Sequence, residues 1–135
     1  MFIHECKVYV EDTDCGGVVY HPNYLKYMDR ARSEMLASLG FNERLMFDGN
    51  FGFVVHKVEI DYERPAHVSD PLVIKTKLLE KRRVALLFEQ SVYHKDTEIR
   101  LAIAKIRVAC VNAAFRPIKI PEAISAGLTI DEKAT

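Results

Sequence analysis

At 135 residues, 49% of them hydrophobic, the chain is long enough to bury a core without help from disulfides or a structural metal. Its 19 basic and 19 acidic side chains cancel, which excludes a global field that would recruit nucleic acid or an anionic membrane. No apolar run approaches the roughly 20 residues of a membrane span, and the three cysteines (Cys6, Cys15, Cys110) lack the CxxC spacing and even count of a zinc or disulfide framework.

The opening MFIHECKVYV alternates like a strand over residues 3–10, with Ile3, Val8 and Val10 among polar neighbours. It lacks the basic start and apolar block of a signal peptide, so a single cytoplasmic domain over residues 1–135 is expected. From Glu11 to Gly17 the pattern breaks, because Asp, Thr and paired Gly favour turns. Proline suits the first helical position, and the spacing predicts a helix from Pro22 to Leu39, about 18 residues and roughly 27 Å long. Its apolar face is Tyr24, Tyr27, Met28, Ala31, Met35 and Leu39, which reads as core. Arg30 and Glu34 are spaced as an i,i+4 pair on the polar side. Gly40 predicts a left-handed cap, with Phe41 folding back on Leu36.

Asn42–Asn50 has room for one more helical turn. Residues 51–62 then alternate, with Val54, His56, Val58, Ile60 and Tyr62 along one side; His56 reads there as a hydrogen-bonded core histidine. Breakers at Arg64–Pro65 and Ser69–Asp70–Pro71 precede further strands over 72–81, 84–93 and 99–111. After Pro117 the chain reads as a tail, frayed over 129–135. Consecutive strands joined by short polar links imply an antiparallel sheet with the helix on one face, an α+β domain.

Within Asp12–Pro22 the chain gathers two carboxylates, a histidine and a helix N-terminus. That sets a reactive anion beside a place able to stabilise a second negative charge. Each residue also has a plainer reading. Asp12 and Asp14 suit turns, His21 a cap or surface position, and Gly16–Gly17 a tight turn. Because Pro22 has no N–H, free donors at the helix start must come from Tyr20, His21, or Asn23 onward.

The stretch EDTDCGGVVYHPNYLKYMDRARSEML resembles the signature of hotdog-fold acyl-CoA thioesterases of the 4-hydroxybenzoyl-CoA thioesterase type. Within them it is most similar to the Tol–Pal-associated bacterial subgroup, which has His where the 4-hydroxybenzoyl enzyme has Tyr. The likeness is strongest over residues 9–36 and continues through FVVHKVEIDYERPA and the later strands; Cys15 departs from the small residue usual there. The resemblance implies a five-stranded antiparallel sheet wrapped around one long central helix. It implies Asp14 as the essential carboxylate, as nucleophile or general base, and His21 as the second catalytic residue. It favours the His21 amide as the donor that polarises the carbonyl, with Gly17 and Tyr20 beside the substrate.

Arg82 and Arg83 would contact the phosphates of coenzyme A, although a solvated charged turn has the same composition. Substrates would be acyl-CoA or acyl-carrier-protein thioesters, with coenzyme A part of the substrate and no separate cofactor or metal. Edge-to-edge pairing of two sheets would give a homodimer with sites at the interface, and tetramers are frequent in the subgroup. Two other readings stay open: a hydratase or dehydratase on the same architecture, and a non-catalytic acyl-binding scaffold.

Overall fold

The computed structural model describes residues 1–131; residues 132–135 of the expected frayed tail lie outside the described residues. The elements are β1 (Phe2–Lys7), a 3-10 turn (Val10–Asp12), α1 (Asn23–Ser38), α2 (Glu43–Asp48), β2 (Phe51–Tyr62), β3 (Pro71–Lys81), β4 (Ala85–His94), β5 (Arg100–Asn112) and α3 (Glu122–Gly127). The five strands form one antiparallel sheet in the order β1-β3-β4-β5-β2. The two strands that flank α1 in sequence are therefore the two edges of the sheet. Among the described residues no helix is long and apolar enough to cross a membrane.

Strand pairing lines up the inward rows. Ile74 faces Val92, Leu78 faces Phe88, Phe88 faces Ile106 and Leu86 faces Val108, all of them buried. Tyr24, Tyr27, Met28, Ala31 and Met35 of α1 are buried in the same cluster, as their spacing predicts. The middle of the sheet carries a polar exception. Gln90 is fully buried, donates to the Met28 carbonyl (2.8 Å) and the Thr76 hydroxyl (2.9 Å), and accepts from Arg32 Nη1 (2.7 Å). Arg32 also donates to Asp29 (3.0 Å), whereas the expected Arg30–Glu34 pair does not form.

Several boundaries differ from the sequence reading. β1 ends at Lys7, not residue 10, because the Asp12 carboxylate accepts from the Tyr9 N–H (2.9 Å) and winds the chain into the 3-10 turn, where Val10 is exposed. Its inward face is Phe2, His4 and Cys6, since pairing with β3 sets them opposite the inward row Thr76, Ile74 and Leu72. Pro22 precedes α1 instead of opening it, leaving 16 helical residues. At the other end Gly40 adopts φ +90° and the Phe41 N–H reaches the Leu36 carbonyl (3.0 Å), the predicted fold-back.

A bulge between Val55 and Lys57 shifts the face of β2, so His56 is exposed and not a core histidine. The tail after Pro117 also departs from expectation. Ile120, Ile124 and Leu128 are buried around α3, and Asp131 accepts from the Leu78 N–H (2.9 Å) and pairs with the N-terminal ammonium.

Candidate active site

The polar stretch after β1 folds into a small hairpin. Thr13 bridges Val19, the Asp14 N–H donates to the Val18 carbonyl (2.9 Å), and the Gly17 N–H donates to the Asp14 carbonyl (3.1 Å). Asp14 itself is exposed, and its Oδ1 accepts from the Gly16 N–H (2.8 Å). It is thus a turn former and a solvent-facing carboxylate at once. Gly17 closes the turn at φ +77°, and a Cβ there would meet nothing within 4 Å. Gly17→Ala is therefore expected to cost only left-handed backbone strain, about 1–2 kcal/mol in a urea titration. A neutral result would mean that the turn relaxes.

Asp12 shapes this loop from inside. Buried, it caps Tyr9, while its carbonyl accepts from the Tyr20 N–H (3.0 Å) and from Asn23 Nδ2 (2.7 Å). Burial, then the nearby Asp12 carboxylate, push the Tyr27 hydroxyl well above its ordinary pKa. That hydroxyl nevertheless makes no hydrogen bond of acceptable geometry among the described residues. A second loop clamps the hairpin. The Val19 N–H donates to the Ala66 carbonyl (2.9 Å), the Val68 N–H to the Gly17 carbonyl (3.1 Å), and the Ala66 N–H to the Tyr24 hydroxyl (3.0 Å).

His21 lies at the start of α1 with its side chain exposed. The Tyr20 N–H is committed to Asp12, and the Asn23 N–H to the Tyr20 carbonyl (2.8 Å). Nothing among the described residues accepts from the His21 N–H. Of the donors the sequence left open around Pro22, the one on His21 is free. Tyr20 is exposed, and its ring meets the His21 ring edge to face at 5.0 Å between centroids.

One member of this group escaped the sequence reading. Tyr62, the last residue of β2, donates its hydroxyl to the His21 carbonyl (3.1 Å). The contact spans 41 positions, so no local pattern announced it. Arg82 and Arg83 sit at the β3–β4 turn, at the far end of β3 from the Asp14 loop, a strand length of roughly 33 Å away. Arg82 pairs with Glu80 (3.3 Å), and the Arg83 carbonyl accepts from the Ile120 N–H (2.9 Å). One chain does not bring these arginines to Asp14.

Cavities lie along β2. One of about 160 Å³ sits between α1, α2 and the sheet, walled by Met35, Leu36, Met46, Phe53 and Phe88 with Arg32 at its polar side. A neighbouring one of about 400 Å³ is lined by Phe47, Phe51, Phe53 and Phe115. Neither includes Asp14 or His21.

One helix held against a five-stranded antiparallel sheet, with a carboxylate turn feeding its N-terminus, defines a hotdog domain of the thioesterase kind. The sequence matches the thioesterase-like superfamily over residues 8–128. It is 37% identical over 127 residues to the acyl-CoA thioesterase YbgC of Haemophilus influenzae, covering 93% of this chain and 92% of that protein. It is 35% identical over 127 residues to the acyl-CoA thioester hydrolase YbgC of Escherichia coli O6:H1, covering 93% and 94%. The crystal structure of a probable thioesterase from Bartonella henselae superposes with a TM-score of 0.84 at 36% identity, covering 88% of this chain and 98% of that one. The chain belongs to the thioesterase-like superfamily.

Proposed function

We propose that the chain hydrolyses acyl-CoA thioesters to a carboxylate and a free thiol, with Asp14 and His21 at the reacting centre. The observation that carries the reading is the unpaired His21 N–H beside a turn that presents the Asp14 carboxylate to solvent. The relatives described above support the reaction class, and the DTDCGGVVYHPNY motif supports the roles. That motif, with His at position 21, also favours the 4-hydroxybenzoyl-CoA thioesterase type and its Tol–Pal-associated subgroup.

Two routes conserve atoms equally well. Asp14 either attacks the carbonyl carbon and expels the thiolate, leaving an anhydride that water opens, or it takes a proton from the water that attacks directly. In both, charge gathers on the carbonyl oxygen, where an amide such as that of His21 is worth about 3 kcal/mol. A hydratase would need His and Asp set across a hydration axis, and here both lie on one loop.

The reading includes a homodimer, extending to a tetramer. β2 is a 12-residue edge strand with a partner on one side only, an arrangement soluble proteins avoid leaving open. Antiparallel pairing of two such edges would set the Phe51 end of one β2 beside the Tyr62 end of the other. It would also bring the Arg82–Arg83 turn of one copy to the same end of the joined sheet as the Asp14 loop of the other. Coenzyme A phosphates held there would lie two to three strand spacings, or roughly 12 Å, from the β2 of their own copy.

The test is thiol release from a panel of short, long and aromatic acyl-CoA thioesters, together with light scattering at micromolar concentration. Turnover by a multimer is expected. A folded protein that hydrolyses no member of the panel contradicts the proposed reaction, and a monomeric mass contradicts the shared site.

A further inference from the structure

We propose that Tyr62 is a positioning residue of the hydrolytic site, acting through the main chain of His21. The inference rests on the thioesterase reading above and adds a residue that the loop motif does not contain.

The His21 carbonyl has two donors, the Tyr62 hydroxyl at 3.1 Å and the Tyr24 N–H at 3.4 Å. Tyr62 is the shorter of the two and comes from outside the helix. On its other flank His21 follows Tyr20, whose N–H is tied to the Asp12 carbonyl. The residue is therefore held from both sides, and the group left unpaired between those ties is its own N–H. The His21 N–H shares a peptide plane with the Tyr20 carbonyl, which accepts from the Asn23 N–H (2.8 Å). Tying the His21 carbonyl restrains the rotation about φ and ψ of His21 that would let that plane tilt. A donor that is already aimed needs no reorganisation when charge develops on a carbonyl oxygen.

Tyr62 is itself firmly placed. It pairs with Ala102 in the sheet, and the two residues after it, Glu63 and Arg64, both donate their N–H groups to the Leu101 carbonyl (2.8 and 3.0 Å). The Glu63 carboxylate takes both arms of Arg100. The Tyr62 ring stands edge to face against His21 (5.9 Å, 87°) and against Tyr24 (5.4 Å, 68°), whose own hydroxyl accepts from Ala66. A tyrosine hydroxyl is a proton donor at neutral pH in any case, its ordinary pKa being about 10, and partial burial raises that of Tyr62 further. A ring wedged between two aromatics, with a neutral hydroxyl aimed at one carbonyl, is built to orient that carbonyl.

The decisive variant is Tyr62→Phe, which removes the hydroxyl and keeps the ring contacts. Its kcat on the best-hydrolysed acyl-CoA is expected to fall about tenfold with KM within about twofold, the cost of one lost hydrogen bond felt at the reacting centre. In amide-resolved NMR the His21 N–H resonance is expected to shift and its hydrogen exchange to change, while amides of β3 and β4 stay in place.

An unmoved His21 amide overturns the proposal, even if kcat falls, because Tyr62 then acts elsewhere. A moved amide with unchanged kcat overturns it too, since the contact would have no catalytic consequence. A rise in KM at constant kcat identifies a binding residue instead and has the same force. If the wild type hydrolyses no acyl-CoA, it is the thioesterase reading that fails, and the amide comparison still decides whether Tyr62 holds His21.

Discussion

Asp14→Asn is expected to lower acyl-CoA hydrolysis about a thousandfold, within the range spanned by lost general-base or nucleophilic groups, without unfolding the protein. The substitution isolates chemistry from architecture. Asp14 Oδ1 accepts from the Gly16 N–H, and the amide oxygen of Asn can accept the same bond. The backbone bonds of Asp14 to Val18 and Gly17 do not involve its side chain at all. What Asn lacks is the negative charge, and with it both the nucleophile and the base. Thiol-release kinetics with a matched thermal melt provide the check. A variant that retains more than a tenth of the wild-type rate would return Asp14 to the role of an ordinary turn residue. Gly16→Ala offers a milder companion, because a Cβ there would stand 3.3 Å from Asp14 Oδ1 and press on the carboxylate.

The largest stability effect is expected from Gln90→Leu, at about 3–5 kcal/mol. Leucine nearly matches the volume, so packing is roughly kept. The loss comes from the partners. Met28 and Thr76 lose a donor, and Arg32, itself nine-tenths buried, loses its one buried acceptor. Burial already lowers the Arg32 pKa, and its remaining partner, Asp29, is 70% exposed. A guanidinium left in that position is a poorly compensated charge in a low dielectric. Thermal melts at fixed protein concentration should show a midpoint lower by roughly 10–15 °C. The double variant Arg32→Leu/Gln90→Leu is expected to recover a large part of that loss, because it removes the charge along with its partner. A single-variant cost under about 1 kcal/mol would show that water or a neighbouring carboxylate satisfies Arg32.

Much of the fold was legible residue by residue. Helical spacing from Tyr24 to Met35 located α1 and its buried face, and Gly40 marked its end. The period of two over 51–62, 72–81, 84–93 and 99–111 located four strands to within a residue or two. The misreadings at His56 and in the tail share one cause: a bulge in β2 and the packing around α3 decide which side chains are buried, and local periodicity carries no such information. At β1 the extent was misread, because a carboxylate three residues on, Asp12, captures the Tyr9 N–H and turns the chain out of the sheet.

The site divides in the same way. By itself the sequence determined what is covalently local: a carboxylate at Asp14 within reach of a Gly16 amide, a proline that withholds its N–H, and hence a short set of free donors at the helix start. Only the tertiary structure decided which donor stays free, because the Tyr20 and Asn23 amides are consumed by loop carbonyls and that of His21 is not. Only it brought Tyr62 across 41 positions to the His21 carbonyl, and only it set Arg82 and Arg83 at the opposite end of the sheet. A side chain's chemistry travels with its letter in the chain, whereas its partners depend on how the sheet closes over the helix.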